Sequence, residues 1–263
     1  FVAPLFSPSS ELNADTSFEY EEITEAQDAL ESMQSAKNLR KLAADRMSAF
    51  RQRILELQAS GEVAKVKFST SILEGVPEEV ILSYCSETPP MLVVMATRGI
   101  EKKEEELIGS VTAEVLDSCR VPVLTVPDNH HFVEIRNLKR LMVFCNLDQH
   151  DVIAVDVLMR MFDYPECNVI LVPAVEKRKS ISVRRMEELC RFFNENFPSA
   201  KFEERFPDSK DYRKEIDTII NKEKIEMMIV PNKRTNVFTR IFHPTIAHRF
   251  LFERDMLMLA LPV

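Results

Sequence analysis

Glycine is scarce in this chain. The 263 residues include four, at positions 61, 75, 99 and 109. Glycine tolerates left-handed backbone angles and the close approach of a ligand, so a chain that uses it sparingly has few positions for a ligand-binding turn. Two of the four lie within residues 92–112, the sequence LVVMATRGIEKKEEELIGSVT. This stretch is the first place to look for function.

Three further absences narrow the class of protein. No apolar run approaches the length of a bilayer-spanning helix, so we predict no membrane span in this chain. The five cysteines form no Cys-x-x-Cys pair and no metal-ligand spacing with histidine, which indicates reduced, buried thiols and a cytoplasmic protein. Basic residues number 34 against 42 acidic ones, and the net charge of −8 argues against nucleic-acid binding.

The chain also lacks the residue groupings of an enzyme or metal site. No set of serine, histidine and acid has the pattern of a hydrolase, and Ser110 suits helix capping or phosphate binding better than nucleophilic attack. His243 and His248 flank Pro244, five residues apart, which is a poor spacing for one helical metal site. We therefore assign neither catalytic residues nor metal ligands.

The residues that are present alternate in the manner of an α/β fold. Short apolar runs are separated by stretches of helical periodicity, which predict a long helix over residues 21–59 and shorter ones over 76–86, 153–162, 186–197 and 212–223 and near 245–252. This alternation predicts a mostly parallel sheet with right-handed crossovers. Residues 1–6 are predicted to be the end of a strand, and the further predicted strands cover residues 64–72, 91–95, 121–126, 141–145, 168–172, 201–206, 227–230 and 256–261.

The second half of the chain repeats the first. A shift of 135 residues places residues 92–95 on 227–230 without a gap, and the final strands at 121–126 and 256–261 then coincide. With 45% hydrophobic residues, the chain is large enough for two domains, which we place at 1–127 and 138–263. The first copy has no counterpart of the opening strand and helix at 141–162, and it carries an insertion between its second and third strands.

The candidate site lies where the predicted strand at 91–95 ends. Residues 96–99, Ala-Thr-Arg-Gly, leave the carboxyl end of that strand, and open α/β sheets hold their ligands at this edge. A helix predicted to start after Gly109 would present its N-terminal amides to the same crevice, with Ser110 and Thr112 as candidate caps. This geometry suits a di- or triphosphate.

The motif in this stretch resembles that of the universal stress protein family, whose nucleotide-binding members carry Gly-x2-Gly-x9-Gly-Ser/Thr before a valine-rich final strand. Here Ala96 stands at the first glycine, Gly99 at the second and Gly109-Ser110 at the end, and VPVLTV follows at 121–126. The resemblance implies two adenine-nucleotide alpha-hydrolase-like (Rossmann-like) subdomains, with ATP or another adenine nucleotide as ligand and Mg2+ as a candidate companion. The nucleotide-binding residues that it implies are Met95, Ala96, Thr97, Arg98, Gly99, Gly109, Ser110, Val111 and Thr112.

The second copy departs from this motif. Pro231, Arg234 and Pro244 stand at the motif positions. Proline lacks the amide that would bind phosphate, and arginine does not easily take a glycine's conformation, so we predict that this copy does not bind nucleotide in the family manner. The family's adenine-contacting Asp falls at Asn146 or, with one slip, at Asp148.

The resemblance also bears on assembly. Universal stress proteins commonly pair their final strands across a two-fold axis. Pairing of residues 121–126 with 256–261 inside this chain would make an internal pseudo-dimer, and the association of whole chains through the final strands stays open.

Three functions fit these observations. The first is a stress-response regulator that binds ATP in the N-terminal copy, with at most weak ATP hydrolysis. The second is a dimerisation or adaptor protein that binds no nucleotide, which Ala96 and the absent opening strand favour. The third is a cytoplasmic regulatory domain of a cation antiporter, because this family is sometimes fused to such transporters.

Overall fold

Helices and strands alternate along most of the described chain. The computed structural model describes residues 2–3, 18–96, 110–127, 134–163, 166–174, 180–207, 211–232 and 256–263. These residues belong to two compact units, Phe1–Ser83 and Tyr84–Val263. The helix predicted near residues 245–252 lies outside the described residues.

The first unit is dominated by one long helix. Helix α1 spans Phe18–Ser60, which confirms the helix predicted over 21–59. Gly61 follows its last residue, and the Gly61 φ of 82° lies in the left-handed region that glycine adopts at low cost. Two short strands, β1 (Val2–Ala3) and β2 (Leu73–Glu74), pair in parallel, and helix α2 (Pro77–Glu87) begins in this unit.

The prediction of a strand over residues 64–72 is wrong. The structure assigns no strand there, and β1 pairs instead with Leu73–Glu74. Alternating apolar residues form a strand only where a neighbouring strand supplies hydrogen bonds. In the described part of this unit the neighbour is the two-residue β1, so the ladder is only two residues long.

The second unit is built on one sheet. Its strands are β3 (Val93–Ala96), β4 (Val123–Val126), β5 (Arg140–Cys145), β6 (Cys167–Pro173), β7 (Ala200–Glu204), β8 (Met227–Asn232) and β9 (Leu257–Pro262). Its complete helices are α3 (Ser110–Ser118), α4 (Gln149–Phe162), α5 (Ser180–Asn196) and α6 (Tyr212–Glu223). The strand order is β3-β4-β9-β8-β5-β6-β7.

All neighbouring strands of this sheet run parallel except β4 and β9. The mostly parallel α/β fold predicted from the sequence is therefore confirmed. Strands β5 and β8 lie in the middle, and their apolar side chains are buried, as expected for parallel strands covered on both faces.

Strands β4 and β9 are the final strands of the two sequence repeats. They pair antiparallel, with Val123 opposite Ala260 and Leu124 opposite Leu259. This is the strand pairing expected for an internal pseudo-dimer, whereas the domain limits 1–127 and 138–263 stay a prediction. Because β4 and β9 run in opposite directions, the carboxyl ends of β3 and β4 lie at one edge of the sheet and those of the other five strands at the opposite edge.

Candidate functional site

The candidate site starts at the carboxyl end of β3. Met95 and Ala96 are its last residues, and they pair in register with Thr125 and Val126 of β4. Helix α3 begins at Ser110, and its apolar residues Val115 and Leu116 are buried. The strand end is thus held in the sheet, and the helix is anchored by its own apolar face.

One hydrogen bond joins the two elements. The Thr112 hydroxyl Oγ1 donates to the Ala96 carbonyl at 3.1 Å, and Thr112 is only 5% exposed. We call this contact the Thr112–Ala96 clasp. It fastens the first turn of α3 to the end of β3, sixteen residues earlier in the sequence. Thr112 was predicted as a candidate helix cap, but its hydroxyl bonds to the strand instead.

The start of α3 is suited to an anion. The first four amides of an α-helix have no partner within the helix, and the helix dipole concentrates partial positive charge there. The first turn of α3 contains no acidic residue that would neutralise this positive charge or repel an anion. Amides at such a helix start bind phosphate groups in many nucleotide-binding folds.

The structure places five of the nine predicted nucleotide-binding residues. Met95 and Ala96 end β3, while Ser110, Val111 and Thr112 form the start of α3. The clasp brings these two groups together. The other four predicted residues lie outside the described residues: Thr97, Arg98, Gly99 and Gly109.

In the described residues, no group of three or more histidine, cysteine or acidic residues is arranged to hold a metal ion. Mg2+ bound with a nucleotide commonly takes much of its coordination from phosphate oxygens and water. Mg2+ as a companion of the nucleotide stays a prediction.

The second half of the chain has a different turn at the end of β5. Asp148 caps α4 by accepting a hydrogen bond from the His150 amide at 2.9 Å. Asp151, three residues later, reaches back: its Oδ1 accepts from the Asn146 amide at 2.9 Å, and its Oδ2 accepts from the Leu147 amide at 2.6 Å and the Asp148 amide at 3.2 Å. The side chain of Asp151 thereby holds three successive amides of the turn.

Asp151 has the burial and the hydrogen bonds of a candidate functional residue, but it was not predicted from the sequence. It is fully buried, and this burial raises its pKa to about 6, while the hydrogen bonds from the Asn146 and Leu147 amides act in the opposite direction. The Asp-x-x-Asp spacing of residues 148 and 151 is the sequence signal that would have found it, since it matches a capping box. Its described contacts point to a role in holding the turn.

The residues predicted at the degenerate site are partly placed. Asn146 lies directly after β5, and its buried Nδ2 has no hydrogen-bond partner among the described residues. Pro231 is buried within β8, where it pairs with Leu261 of β9. Arg234 and Pro244 lie outside the described residues. In this copy, the first motif position is therefore occupied by a strand proline, which has no amide to offer a phosphate.

The cysteines are uniformly buried. All five are free thiols, at positions 85, 119, 145, 167 and 190. Burial raises the pKa of Cys85 and that of Cys167 each to about 11, so both are thiols near neutral pH. Cys119 is one of the buried five, which fits its interpretation as a small apolar residue.

None of the helices in the described ranges is both long enough and apolar enough to cross a membrane.

Comparison with known proteins gives a family for the N-terminal half. Residues 2–127 match the sequence profile of the universal stress protein family. A universal stress protein from Methanocaldococcus jannaschii is 39% identical over 61 residues, which are 23% of this chain and 36% of that protein. The alignment thus spans about a third of the relative's length.

Solved structures share the fold over most of the chain. A universal stress protein from Archaeoglobus fulgidus superposes with a TM-score of 0.58 at 16% identity, covering 83% of this chain and 80% of its own. A functionally unknown protein from Pseudomonas aeruginosa gives 0.51 at 14% identity, covering 82% of this chain and 77% of its own. These identities support a common fold and nothing finer.

The profile match contains the whole candidate site, from the end of β3 to the end of β4. The family inferred from the glycine motif is therefore the family found by comparison. Residues 2–127 therefore belong to the universal stress protein family.

Proposed function

We propose that this chain is a stress-response regulator that binds ATP or another adenine nucleotide at the carboxyl end of β3. The observation that carries the proposal is the Thr112–Ala96 clasp, with its Oγ1–O distance of 3.1 Å. The clasp keeps the start of α3 at the end of a strand, where open α/β folds bind phosphates. The two glycines of the motif, Gly99 and Gly109, lie in the sequence between the clasped residues.

The proposed contacts follow from the chemistry of the motif. Backbone amides of Gly99, Gly109, Ser110 and Val111 would surround the phosphates, since successive amides in such a turn form an anion-binding concavity. The hydroxyls of Thr97 and Ser110 would add direct contacts. Thr112 would act through the clasp rather than by touching the nucleotide, because its hydroxyl is already bonded to Ala96.

Ala96 is compatible with this function. It departs from the family's first glycine, but in this chain it is the last residue of β3 and pairs with Val126. Strand backbone has negative φ, which alanine adopts without strain, and Ala96 is not among the described residues with positive φ. The additional methyl group thus imposes no backbone cost at this position.

The cellular setting is also part of the proposal. Five free, buried cysteines support a reducing compartment, and we place the protein in the cytoplasm. We propose nucleotide binding with at most weak ATP hydrolysis.

Titration calorimetry with ATP tests the proposal. The repeat supplies a matched control, because Ser110 of the first copy corresponds to Thr245 of the second. We expect wild-type protein to bind ATP, Ser110→Ala to bind it more weakly, and Gly109→Arg to lose binding, while Thr245→Ala binds like wild type. No binding by the wild-type chain would refute the proposal and favour the adaptor function. Equal effects of Ser110→Ala and Thr245→Ala would refute the location of the site.

A further inference from the structure

Two buried thiols of the second unit are in contact with each other. Cys85 lies in α2, Cys119 directly follows α3, and both belong to the unit Tyr84–Val263. The Cys85 thiol shares a hydrogen bond with the Cys119 thiol, and the two residues are 8% and 6% exposed. The sulfur atoms of a disulfide are about 2 Å apart, so two thiols already in contact need little movement to form one.

The fold brings both cysteines to the same edge of the sheet. Strands β3 and β4 are parallel, and the Val93 amide donates to the Pro122 carbonyl at 2.9 Å where they begin. Helix α2 leads into β3 and α3 leads into β4, so both helices end at this edge. Helical hydrogen bonding continues to Cys119, whose amide donates to the Val115 carbonyl at 2.9 Å. The thiol contact is therefore fixed by backbone structure on the α3 side.

A bond between these thiols would constrain the region of the candidate site. Of the eleven residues of α2, all of which are described, only Cys85 is buried. The bond would attach this buried point of α2 to the end of α3. It would also close a covalent loop around residues 86–118, which include β3 and α3. Such a loop restricts the unfolded chain and thereby stabilises the folded state.

Cys145 and Cys190 provide an internal comparison. They lie close enough to interact electrostatically, but each thiol has another hydrogen-bond partner. The Cys145 thiol donates to the Val143 carbonyl at 3.8 Å, and the Cys190 thiol is hydrogen-bonded to the Glu204 carboxylate. Burial alone therefore does not distinguish Cys85 and Cys119 from the other thiols, whereas their mutual hydrogen bond does.

We propose that Cys85 and Cys119 form a reversible disulfide, on oxidation by a peroxide, that ties α2 to the end of α3 and stabilises the fold. The Cys119 sulfur attacks one oxygen of hydrogen peroxide, the O–O bond breaks, and the thiol proton leaves with the other oxygen as water. The Cys85 sulfur then attacks the resulting sulfenic acid, forms the S–S bond and releases a second water. Hydrogen peroxide thus accepts the two electrons that the thiols lose.

The order of these steps follows from the surroundings of Cys85. Burial, and then the contact with Cys119, raise its pKa to about 11, so near neutral pH it is a poor nucleophile toward a dissolved oxidant. Its contact with Cys119 places it beside the sulfenic acid once that has formed. Cys85 therefore acts as the resolving thiol.

Peptide mapping of the full chain after treatment with hydrogen peroxide tests the proposal. Trypsin separates the five cysteines into five peptides, so each possible bond gives a distinct linked product. In the unfolded wild-type protein, the number of maleimide-reactive thiols should fall from five to three. Residues 68–98 should be recovered linked to residues 104–120, and dithiothreitol should separate them. Oxidation of Met91, which is 74% exposed, shows that the peroxide dose is sufficient.

Serine variants provide the controls. Cys85→Ser and Cys119→Ser should each form no bond, whereas Cys190→Ser, the same change at another buried thiol, should form the bond as wild type does. Oxidised wild type should unfold at a urea midpoint about 1 M above that of the reduced protein, because the bond closes residues 86–118 into a loop. Peroxide should not raise the midpoint of Cys85→Ser.

The wild-type map decides the proposal even where a serine variant fails to fold. Three results would each overturn it: five reactive thiols in folded protein whose Met91 is oxidised, a disulfide between two chains, or a link through Cys145, Cys167 or Cys190. A Cys85–Cys119 bond that leaves the urea midpoint unchanged would overturn the stabilising role.

Discussion

Replacing Thr112 by valine should loosen the candidate site without disturbing its shape. Valine has nearly the same volume as threonine but no hydroxyl, so the variant removes the 3.1 Å bond from Oγ1 to the Ala96 carbonyl. A hydrogen bond of this kind contributes about 0.5–1.5 kcal/mol to stability. Ala96 is exposed, so water can reach this end of the strand, and we expect a loss of about 1 kcal/mol.

Thr125 provides the matched control in the same sheet. Its hydroxyl lies 3.5 Å from the Met258 carbonyl, at the outer limit for a hydrogen bond, and its side chain is fully buried. Thr125→Val therefore removes a weaker contact and buries a methyl group in place of a hydroxyl. We expect it to change the unfolding free energy by less than about 0.5 kcal/mol.

Urea unfolding and ATP titration of both variants give the two readouts. Thr112→Val should lower the unfolding free energy more than Thr125→Val and should also weaken ATP binding severalfold, because about 1 kcal/mol corresponds to roughly fivefold in an equilibrium constant. If Thr112→Val and Thr125→Val lose equal stability, the clasp is not a significant link. If Thr112→Val loses stability but keeps full ATP affinity, the clasp supports the fold and not the site.

Two further predictions concern buried polar groups. Burial raises the pKa of Asp151 from 3.8 to about 6. The folded state therefore binds a proton at Asp151 more readily than the unfolded state does. The resulting stabilisation is present at low pH and is lost as the pH rises through 6. The unfolding free energy of the wild-type protein, relative to that of Asp151→Asn, should thus fall by about 2 kcal/mol between pH 4 and pH 7, measured by urea unfolding. A difference that is independent of pH would contradict this assignment. Asn194 bonds to the Phe202 amide and carbonyl and to the Cys190 carbonyl, at 2.9–3.0 Å. Asn194→Ala should lower the unfolding free energy, measured by urea unfolding, by about 2 kcal/mol. Asn196→Ala should lower it less, because the single described hydrogen bond of Asn196 is exposed. Equal losses would show that the Asn194 link between α5 and β7 is unimportant.

Much of the second unit could be predicted from the sequence because its strands are apolar and its helices periodic. The predicted helix at 212–223 has the limits of α6, and the limits of strands β5 to β9 lie within two residues of their predicted positions. The 135-residue repeat also identified which strands come last in each copy, and these are the strands that pair as β4 and β9. Buried parallel strands are easy to recognise in a sequence because both of their faces are apolar, which gives a continuous apolar run.

Long-range hydrogen bonds could not be predicted in the same way. A strand at residues 64–72 would need a neighbouring strand to bond with, and apolar alternation does not show whether one is present. Among the described residues of this segment, only Leu73 and Glu74 pair with a neighbouring strand, β1. Thr112 was recognised as a polar residue at a helix start, but a hydroxyl there can cap its own helix or bond to another element. Asp151 was missed because its three bonds form only after the turn around Leu147 adopts a left-handed φ of 62°.

Identification of the small molecule carried by the purified protein tests the central claim most directly. We predict that mass spectrometry of ligand released from the wild-type chain, after incubation with a mixture of nucleotides and removal of the free excess, detects an adenine nucleotide, and that Ser110→Ala retains less of it than Thr245→Ala. Absence of nucleotide from wild-type protein that is folded by circular dichroism would contradict the account.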